Sequence, residues 1–340
     1  MPKSAQIDQI PNKSGKNHPA SSAVVLVNLG TPAQLGKKSV RKFLAEFLSD
    51  PRVVSLPRWL WLTILYLLIL PFRSSKTLEM YRQVWMPEGS PLRVFSSRLV
   101  AKVDGQLPQH KVKLAMRYGE PSVSSVLEEF ARDGIDDITV MPLYPQYSTT
   151  TSASVFDAVD NFYNTRQQPS RLNLIEKYYH QSSWQQAIAD SITDWQAQQG
   201  QPELLVFSFH GLPQLLDRRG DPYRQQCEAS VAGIVKHLGI SADQYLLCYQ
   251  SRFGRAAWLQ PYLEPELQRL AAEGVRRLQV VCPCFAVDGI ETLEEIAIRA
   301  KRVFLEAGGE SLQYIPALND SDRHATVLSE IVEKGGVQLG

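Results

Sequence analysis

Short runs of aliphatic and β-branched residues alternate along the chain with stretches whose apolar positions recur every three or four residues. That alternation marks βαβ units and a parallel sheet. The runs predict strands at Ala23–Asn28, Val112–Tyr118, Ile138–Leu143 and Leu172–Lys177, and again at Leu204–Phe209, Tyr245–Tyr249, Leu278–Cys282 and Leu312–Ile315. The punctuation after corresponding strands matches. Leu29-Gly30-Thr31-Pro32 follows the first strand and His210-Gly211-Leu212-Pro213 its counterpart; Arg117-Tyr118-Gly119 closes the second strand, and Arg252-Phe253-Gly254 lies just beyond its counterpart. One plan is used twice. The expected fold is α/β, with two similar Rossmann-like domains, each a four-stranded parallel sheet flanked by helices, and a cleft between them.

Helix ends are legible. Asp221 and Pro222 suit the N-cap and first position of a helix whose inner face is Cys227, Val231, Ile234 and Leu238, with Gly239 past its end. A second apolar stripe is Trp184, Ala187, Ile188, Ile192 and Trp195. The polar link Thr165–Ser170 suggests a boundary, giving a loose leader at 1–21, an N-terminal domain at 22–166 and a C-terminal domain at 167–318. A last helix within 319–340 is expected to pack back on the N-terminal domain. The run Trp59–Leu70 is apolar on every side, so it is not an ordinary amphipathic surface helix. Spanning a bilayer takes roughly 20 such residues, more than it has. It is either a buried helix or an apolar surface meeting a membrane or a greasy ligand.

Charge narrows the partners. Over 340 residues the net charge is +1, without the basic excess that nucleic-acid binding usually requires. No G-x-G-x-x-G or Walker A sequence signals a nucleotide. The leader lacks an apolar export core, so a cytoplasmic location is expected. The four cysteines (Cys227, Cys248, Cys282 and Cys284) form no C-x-x-C pair and read as buried or loop thiols.

In parallel sheets of this kind ligands bind outside the carboxyl ends of the strands, and the unusual residues lie there. His210 ends an apolar strand and opens a turn, where an imidazole can accept a proton or ligate a divalent metal; on position alone a histidine bonded within its own loop fits slightly better. Asp288 and Glu291 resemble a capping box, with Ile290, Leu293, Ile296, Ala297, Ala300 and Phe304 as the buried stripe. Glu291 and Glu295, four apart, would also face one way and draw a cation. Arg73, Ser74, Ser75, Lys76, Tyr81 and Arg82 follow the apolar run, and together they suit a flat apolar ligand carrying carboxylates.

Several of these segments together resemble the ferrochelatase family. They are Leu205–Pro213, Asp221-Pro222-Tyr223 with Gln226-Cys227, Tyr249–Gly254 with Trp258-Leu259, and Glu291–Ile296; Val27–Pro32 and Tyr144–Ser148 match in the first half. The resemblance runs from about Ala23 to about Pro316 with the motifs in family order. It implies an enzyme that inserts Fe²⁺ into protoporphyrin IX to give heme b and two protons, the last step of heme biosynthesis. His210 and Glu291 would face the porphyrin centre as catalytic and metal-guiding groups. Arg117 and Tyr118 would line the cleft and Leu29 would lie near the ring. Arg73, Lys76 and Ser251 would hold the propionates, and Glu295 would extend an acidic track. Residues 59–70 would form an apolar lip that takes up porphyrin and leans on the membrane's inner face. Gly289 stands where relatives often carry His or Cys, which removes a third side-chain ligand. Some members hold a [2Fe–2S] cluster through cysteines in a C-terminal extension; no cysteine follows Cys284, so no cluster and no other prosthetic group is expected. Coproporphyrin as the porphyrin, cobalt as the metal, or a non-catalytic tetrapyrrole carrier are the alternatives.

Overall fold

The computed structural model describes residues 22–54, 56–254 and 256–335, so the expected leader at 1–21 lies outside the described residues. The strands are β1 (Ser22–Gly30), β2 (His110–Tyr118), β3 (Asp137–Pro142), β4 (Arg171–Leu174), β5 (Leu204–His210), β6 (Tyr245–Gln250), β7 (Arg277–Val281) and β8 (Ser311–Ile315). They form two four-stranded sheets in the orders β2-β1-β3-β4 and β6-β5-β7-β8, with every pairing parallel. Helices cover both faces of such a sheet, which is why β1 is an almost unbroken apolar run, buried at every position but Leu29.

In both sheets the strand order reverses beside the central strand, and the carboxyl end of that strand is the usual place for a ligand. Those ends are Leu29-Gly30 on β1 and His210-Gly211 on β5, and the repeat has a steric reason. Gly30 has φ 111°, and a Cβ there would stand 1.8 Å from the Tyr118 carbonyl oxygen. At Gly211 a Cβ would stand 2.7 Å from the Gln250 carbonyl oxygen. In each half the turn must pass tight against the end of the neighbouring strand, and only glycine fits.

All eight expected strands are present, with no end displaced by more than three residues. The boundary at 166/167 is not where the chain divides. The link 165–170 leads into β4, which pairs with β3 in the first sheet, so the chain leaves that sheet only after Leu174. The helix expected from Pro222 is Tyr223–Leu238, one residue later, and it ends as expected on Gly239 at φ 66°. Asp221 still bonds the Tyr223 N–H (3.0 Å), but its other carboxylate oxygen reaches the first half. It accepts from Ser148 Oγ at 2.9 Å, Thr149 N at 2.8 Å and Thr149 Oγ1 at 2.6 Å, pinning the two halves together.

The last helix, Asp322–Glu333, packs on helix Pro91–Gln106 of the first half: Asp322 pairs with Lys102 at 2.7 Å and Ser329 bonds Gln106 at 2.9 Å. Arg323 also pairs with Asp194 (3.1 Å) on helix Ser182–Gln199, so this helix ties together both halves. One apolar cluster runs continuously between the sheets, from Leu26 and Met141 to Phe207, Phe209 and Ile315.

The Trp59–Leu70 run answers to both readings. It folds as a helix at Arg58–Ile64, a π-helical stretch at Leu65–Ile69 and a further helix at Leu70–Val84. Trp61, Leu65 and Leu70 are buried against Phe43, Leu44 and Tyr118, while Trp59, Leu67, Leu68 and Phe72 stand 59–77% exposed. Among the described residues no helix is long and apolar enough to cross a membrane.

Candidate active site

His210 closes β5, and its geometry fixes the ring. Its backbone N–H points at Cys284 Sγ (3.3 Å), and its Nδ1 lies 2.7 Å from the Gly211 carbonyl oxygen. A carbonyl only accepts, so Nδ1 carries the proton and the lone pair of the neutral ring sits on Nε2. The ring is half-buried and edge-on to Phe285. Gly211 N–H closes the turn on the Gln250 carbonyl (2.8 Å), and Gln250 in turn accepts from Ser208 Oγ (2.7 Å) and donates to the Glu291 carbonyl (2.7 Å). A buried glutamine thus joins the strand that ends in His210 to the helix that starts at Ile290 and carries Glu291.

The capping-box expectation is corrected. Asp288 does not cap; it accepts from Thr292 Oγ1 (2.8 Å), Tyr314 OH (2.6 Å) and Asn319 Nδ2 (2.7 Å), and the first turn begins at Ile290. The Glu291 carboxylate closes no capping box with Asp288 and turns back toward its own backbone N–H in the first turn. Burial pushes it above the ordinary carboxylate range; its own backbone N–H and, whenever the ring is protonated, His210 work against the shift, and Glu295 adds to it. Its charge is felt by Tyr81 and Tyr144 of the first half and by Cys284. Burial pushes the Cys284 thiol up to about 12. His210 and Cys284 are thus in contact at the end of β5, and Glu291, Tyr81 and Tyr144 lie within electrostatic reach of one another. The Tyr144 hydroxyl is buried with no hydrogen-bond partner among the described residues.

Other expected residues are placed differently. Glu295 is buried, and both its oxygens are engaged: Oε1 with Ser251 N (2.7 Å) and Arg299 Nη2 (3.0 Å), Oε2 with Ser251 Oγ (2.6 Å). It is not an open step on an acidic track, and Ser251 has no donor left for a carboxylate ligand. The π-helical stretch Glu295–Ala300 brings Arg299 back over Glu295. Tyr118 is 1% exposed and does not line an opening; with Arg117 it belongs to a network that pattern reading missed. Asp50 Oδ2 accepts from Arg117 Nη2 (2.6 Å), Tyr118 OH (2.8 Å) and Ser154 Oγ (2.6 Å). Burial alone would raise the Asp50 pKa, but bonds from Ser154, the Arg52 N–H and Tyr118, with the Arg117 charge, hold it below the ordinary range. The apolar lip hangs from this point: Trp61 Nε1 donates to the Leu48 carbonyl (2.6 Å) and Arg58 to the Ser49 carbonyl (2.7 Å).

Leu29 is half-buried beside the lip cluster at the end of β1, the counterpart of His210 on β5. Arg73 lies 4.4 Å above the Phe253 ring of the other half, and burial lowers its pKa. Among the described residues it has no carboxylate partner, and Lys76 is exposed nearby. Two surface hollows of about 360 and 220 Å³ lie elsewhere, at Ser124–Arg166 and Ser191–Arg323, and neither contains a residue of this constellation. All four cysteines are buried free thiols, and among the described residues no three His, Cys, Asp or Glu side chains stand together as a metal-holding group.

Two four-stranded, all-parallel sheets flanked by helices are the architecture of solved chelatases. SirB from Bacillus subtilis with Fe³⁺ superposes with a TM-score of 0.54 at 12% identity, covering 93% of this chain and 96% of that one. CbiX, described as the terminal enzyme for siroheme biosynthesis in denitrifying bacteria, gives 0.50 at 13% identity, covering 92% and 98%. Sequence supplies the family. The ferrochelatase family model matches residues 21–335, and the chain belongs to that family. It is similar to the ferrochelatase of Stenotrophomonas maltophilia, 49% identical over 91% of this chain and 96% of that protein. The ferrochelatase of Methylococcus capsulatus is 48% identical over 93% and 98%. Membership makes the chain an enzyme, a metal chelatase of the lyase class.

Proposed function

We propose that the enzyme inserts Fe²⁺ into protoporphyrin IX, giving heme b and two protons, as the last step of heme biosynthesis. The observation that carries this reading is His210 with its Nδ1 tied to Gly211 and its Nε2 free, joined through Gln250 to the helix of a buried Glu291 whose carboxyl feels the His210 charge. Free-base porphyrin holds two N–H groups where the metal must go, so insertion needs a base on the ring face and a group that accompanies the cation. An imidazole with a free Nε2 and a carboxyl whose proton burial holds more tightly than usual meet both needs.

Leu29 faces the ring from the opposite half, and Arg73 and Lys76 meet the propionates. The exposed side chains of the lip, Trp59, Leu67, Leu68 and Phe72, guide the porphyrin in and rest on a membrane surface. Arg117 and Tyr118 support this wall from behind through Asp50. The distinguishing experiment follows porphyrin fluorescence under anaerobic Fe²⁺, with protoporphyrin and coproporphyrin in competition. Quenching of protoporphyrin first is expected. Preference for coproporphyrin, or binding of either without metal insertion, would replace this reading.

A further inference from the structure

Glu295 sits one turn beyond Glu291, where a carboxylate invites reading as a relay for cations. Its hydrogen bonds say otherwise. A carboxylate offers about four acceptor positions, and Ser251 N, Ser251 Oγ and Arg299 fill three of them, at 2.7, 2.6 and 3.0 Å. Arg299 itself is held from its other side by Glu264 at 3.2 Å. What the carboxylate fixes is a backbone: Ser251 has φ 64°, a left-handed conformation that a residue with a Cβ adopts only when something holds it.

Two residues on, the Phe253 ring lies under the Arg73 guanidinium at 4.4 Å, a contact that joins the second half of the molecule to the lip helix of the first. Between them Arg252 is stacked over Tyr262 at 4.9 Å, which secures the same turn from outside. Stacking occupies only the flat face of a guanidinium and leaves the N–H fork at its rim free, aimed in one direction. Phe253 is otherwise 46% exposed, with no core to justify an aromatic ring there.

We propose that Glu295 is a positioning residue for the porphyrin-anchoring side of the site: by clamping Ser251 it sets Phe253 against Arg73, so that the guanidinium presents its free edge to a porphyrin carboxylate. The proposal rests on the porphyrin reading given above. It makes Glu295 a determinant of porphyrin affinity rather than of metal delivery, and it assigns Phe253 a purpose that its exposure alone leaves unexplained.

The test compares Glu295→Gln, Phe253→Ala and Phe253→Tyr with the unaltered enzyme. The readouts are the separate KM values for porphyrin and Fe²⁺ under anaerobic turnover, and equilibrium porphyrin affinity from tryptophan fluorescence quenching, which needs no turnover. Loss of one partly desolvated cation–π contact should weaken porphyrin binding by about 3- to 10-fold in Phe253→Ala. Phe253→Tyr should restore it. Glu295→Gln should show the same pattern, with the KM for Fe²⁺ held within about twofold. A rise in the KM for Fe²⁺ alone in Glu295→Gln would restore the relay reading and overturn the clamp. Phe253→Ala removes a surface ring and needs no change in the core, so it decides the matter even if Glu295→Gln misfolds. Unchanged porphyrin affinity in Phe253→Ala overturns the proposal and leaves the enzymatic reading standing. An unaltered enzyme that neither binds nor metallates porphyrin removes that reading itself.

Discussion

Asp50→Asn is the substitution whose cost the structure defines most closely. The variant keeps the shape of the side chain and the Oδ1 bond to the Arg52 N–H (2.8 Å), but it turns the atom on which Arg117, Tyr118 and Ser154 converge from a charged acceptor into an amide. Asp50 is 8% exposed, so water cannot replace the lost partner. Breaking a buried ion pair by removing one member costs about 3–5 kcal/mol, most of it from the charge left behind. Arg117 is partly exposed and can relax toward solvent, which places the expectation at the lower end, about 3 kcal/mol. Ser154→Ala, which removes one donor and leaves the pair intact, should cost about 1 kcal/mol.

The sign of the pH dependence follows from the lowered Asp50 pKa. A carboxylate depressed in the folded state contributes stability above its unfolded pKa of about 3.9, and loses that contribution as pH falls through the folded value. Urea unfolding of both proteins at several pH values should therefore show the full gap at pH 7, narrowing below about pH 4. A gap under about 1 kcal/mol at pH 7, the typical worth of one neutral hydrogen bond, would refute the network. So would a gap that is the same in acid.

Gly211→Ala forces a Cβ to within 2.7 Å of the Gln250 carbonyl and 3.2 Å of the Trp258 ring, so it should cost about 1–3 kcal/mol in denaturation and, by displacing His210, lower insertion turnover. Full activity in that variant would show that the turn has slack. Glu291→Gln should behave oppositely in stability and in activity. The raised Glu291 pKa means that the folded state disfavours the ionised form, so the unaltered enzyme loses stability as pH rises through the folded value, and Gln carries no such charge. Melting profiles from pH 4 to 8 should show Glu291→Gln the more stable at neutral pH, with the advantage fading toward acid, and equal profiles throughout would contradict a buried carboxyl. In the unaltered enzyme, protonation of Glu291 should place the acid limb of the kcat profile above the usual carboxylate range, and this limb should vanish in whatever activity Glu291→Gln retains.

The central strands β1 and β5 were legible because they are buried on both faces and so spell nearly continuous apolar runs. The doubled turn after β1 and β5 announced the repeat, and the structure supplies its steric cause in the carbonyls of Tyr118 and Gln250. His210 could be found by its place at a strand end, and Glu291 by standing at a helix start. What local pattern could not show were pairings across long stretches of chain. Asp50, which no local pattern singled out, meets Arg117 and Ser154; Glu295 meets Ser251 and Asp221 meets Thr149, so both carboxylates that were assigned from their neighbours in sequence bond to residues far away. The boundary at 166/167 failed for a related reason: a polar link marks a loop, but only pairing with β3 shows which sheet the next strand joins. The apolar run at Trp59–Leu70 gave no periodic clue because a π-helical turn rotates its faces midway.

Counting protons is the most direct test of the chemistry assigned to His210 and Glu291. In a stopped-flow mixing of porphyrin-loaded protein with Fe²⁺, without oxygen and in weakly buffered indicator dye, the unaltered enzyme should release two protons for each metal taken up, in step with the change in porphyrin absorbance. His210→Ala should bind porphyrin but insert no metal and release no protons from the ring. Near-normal insertion and proton release by His210→Ala would contradict the account.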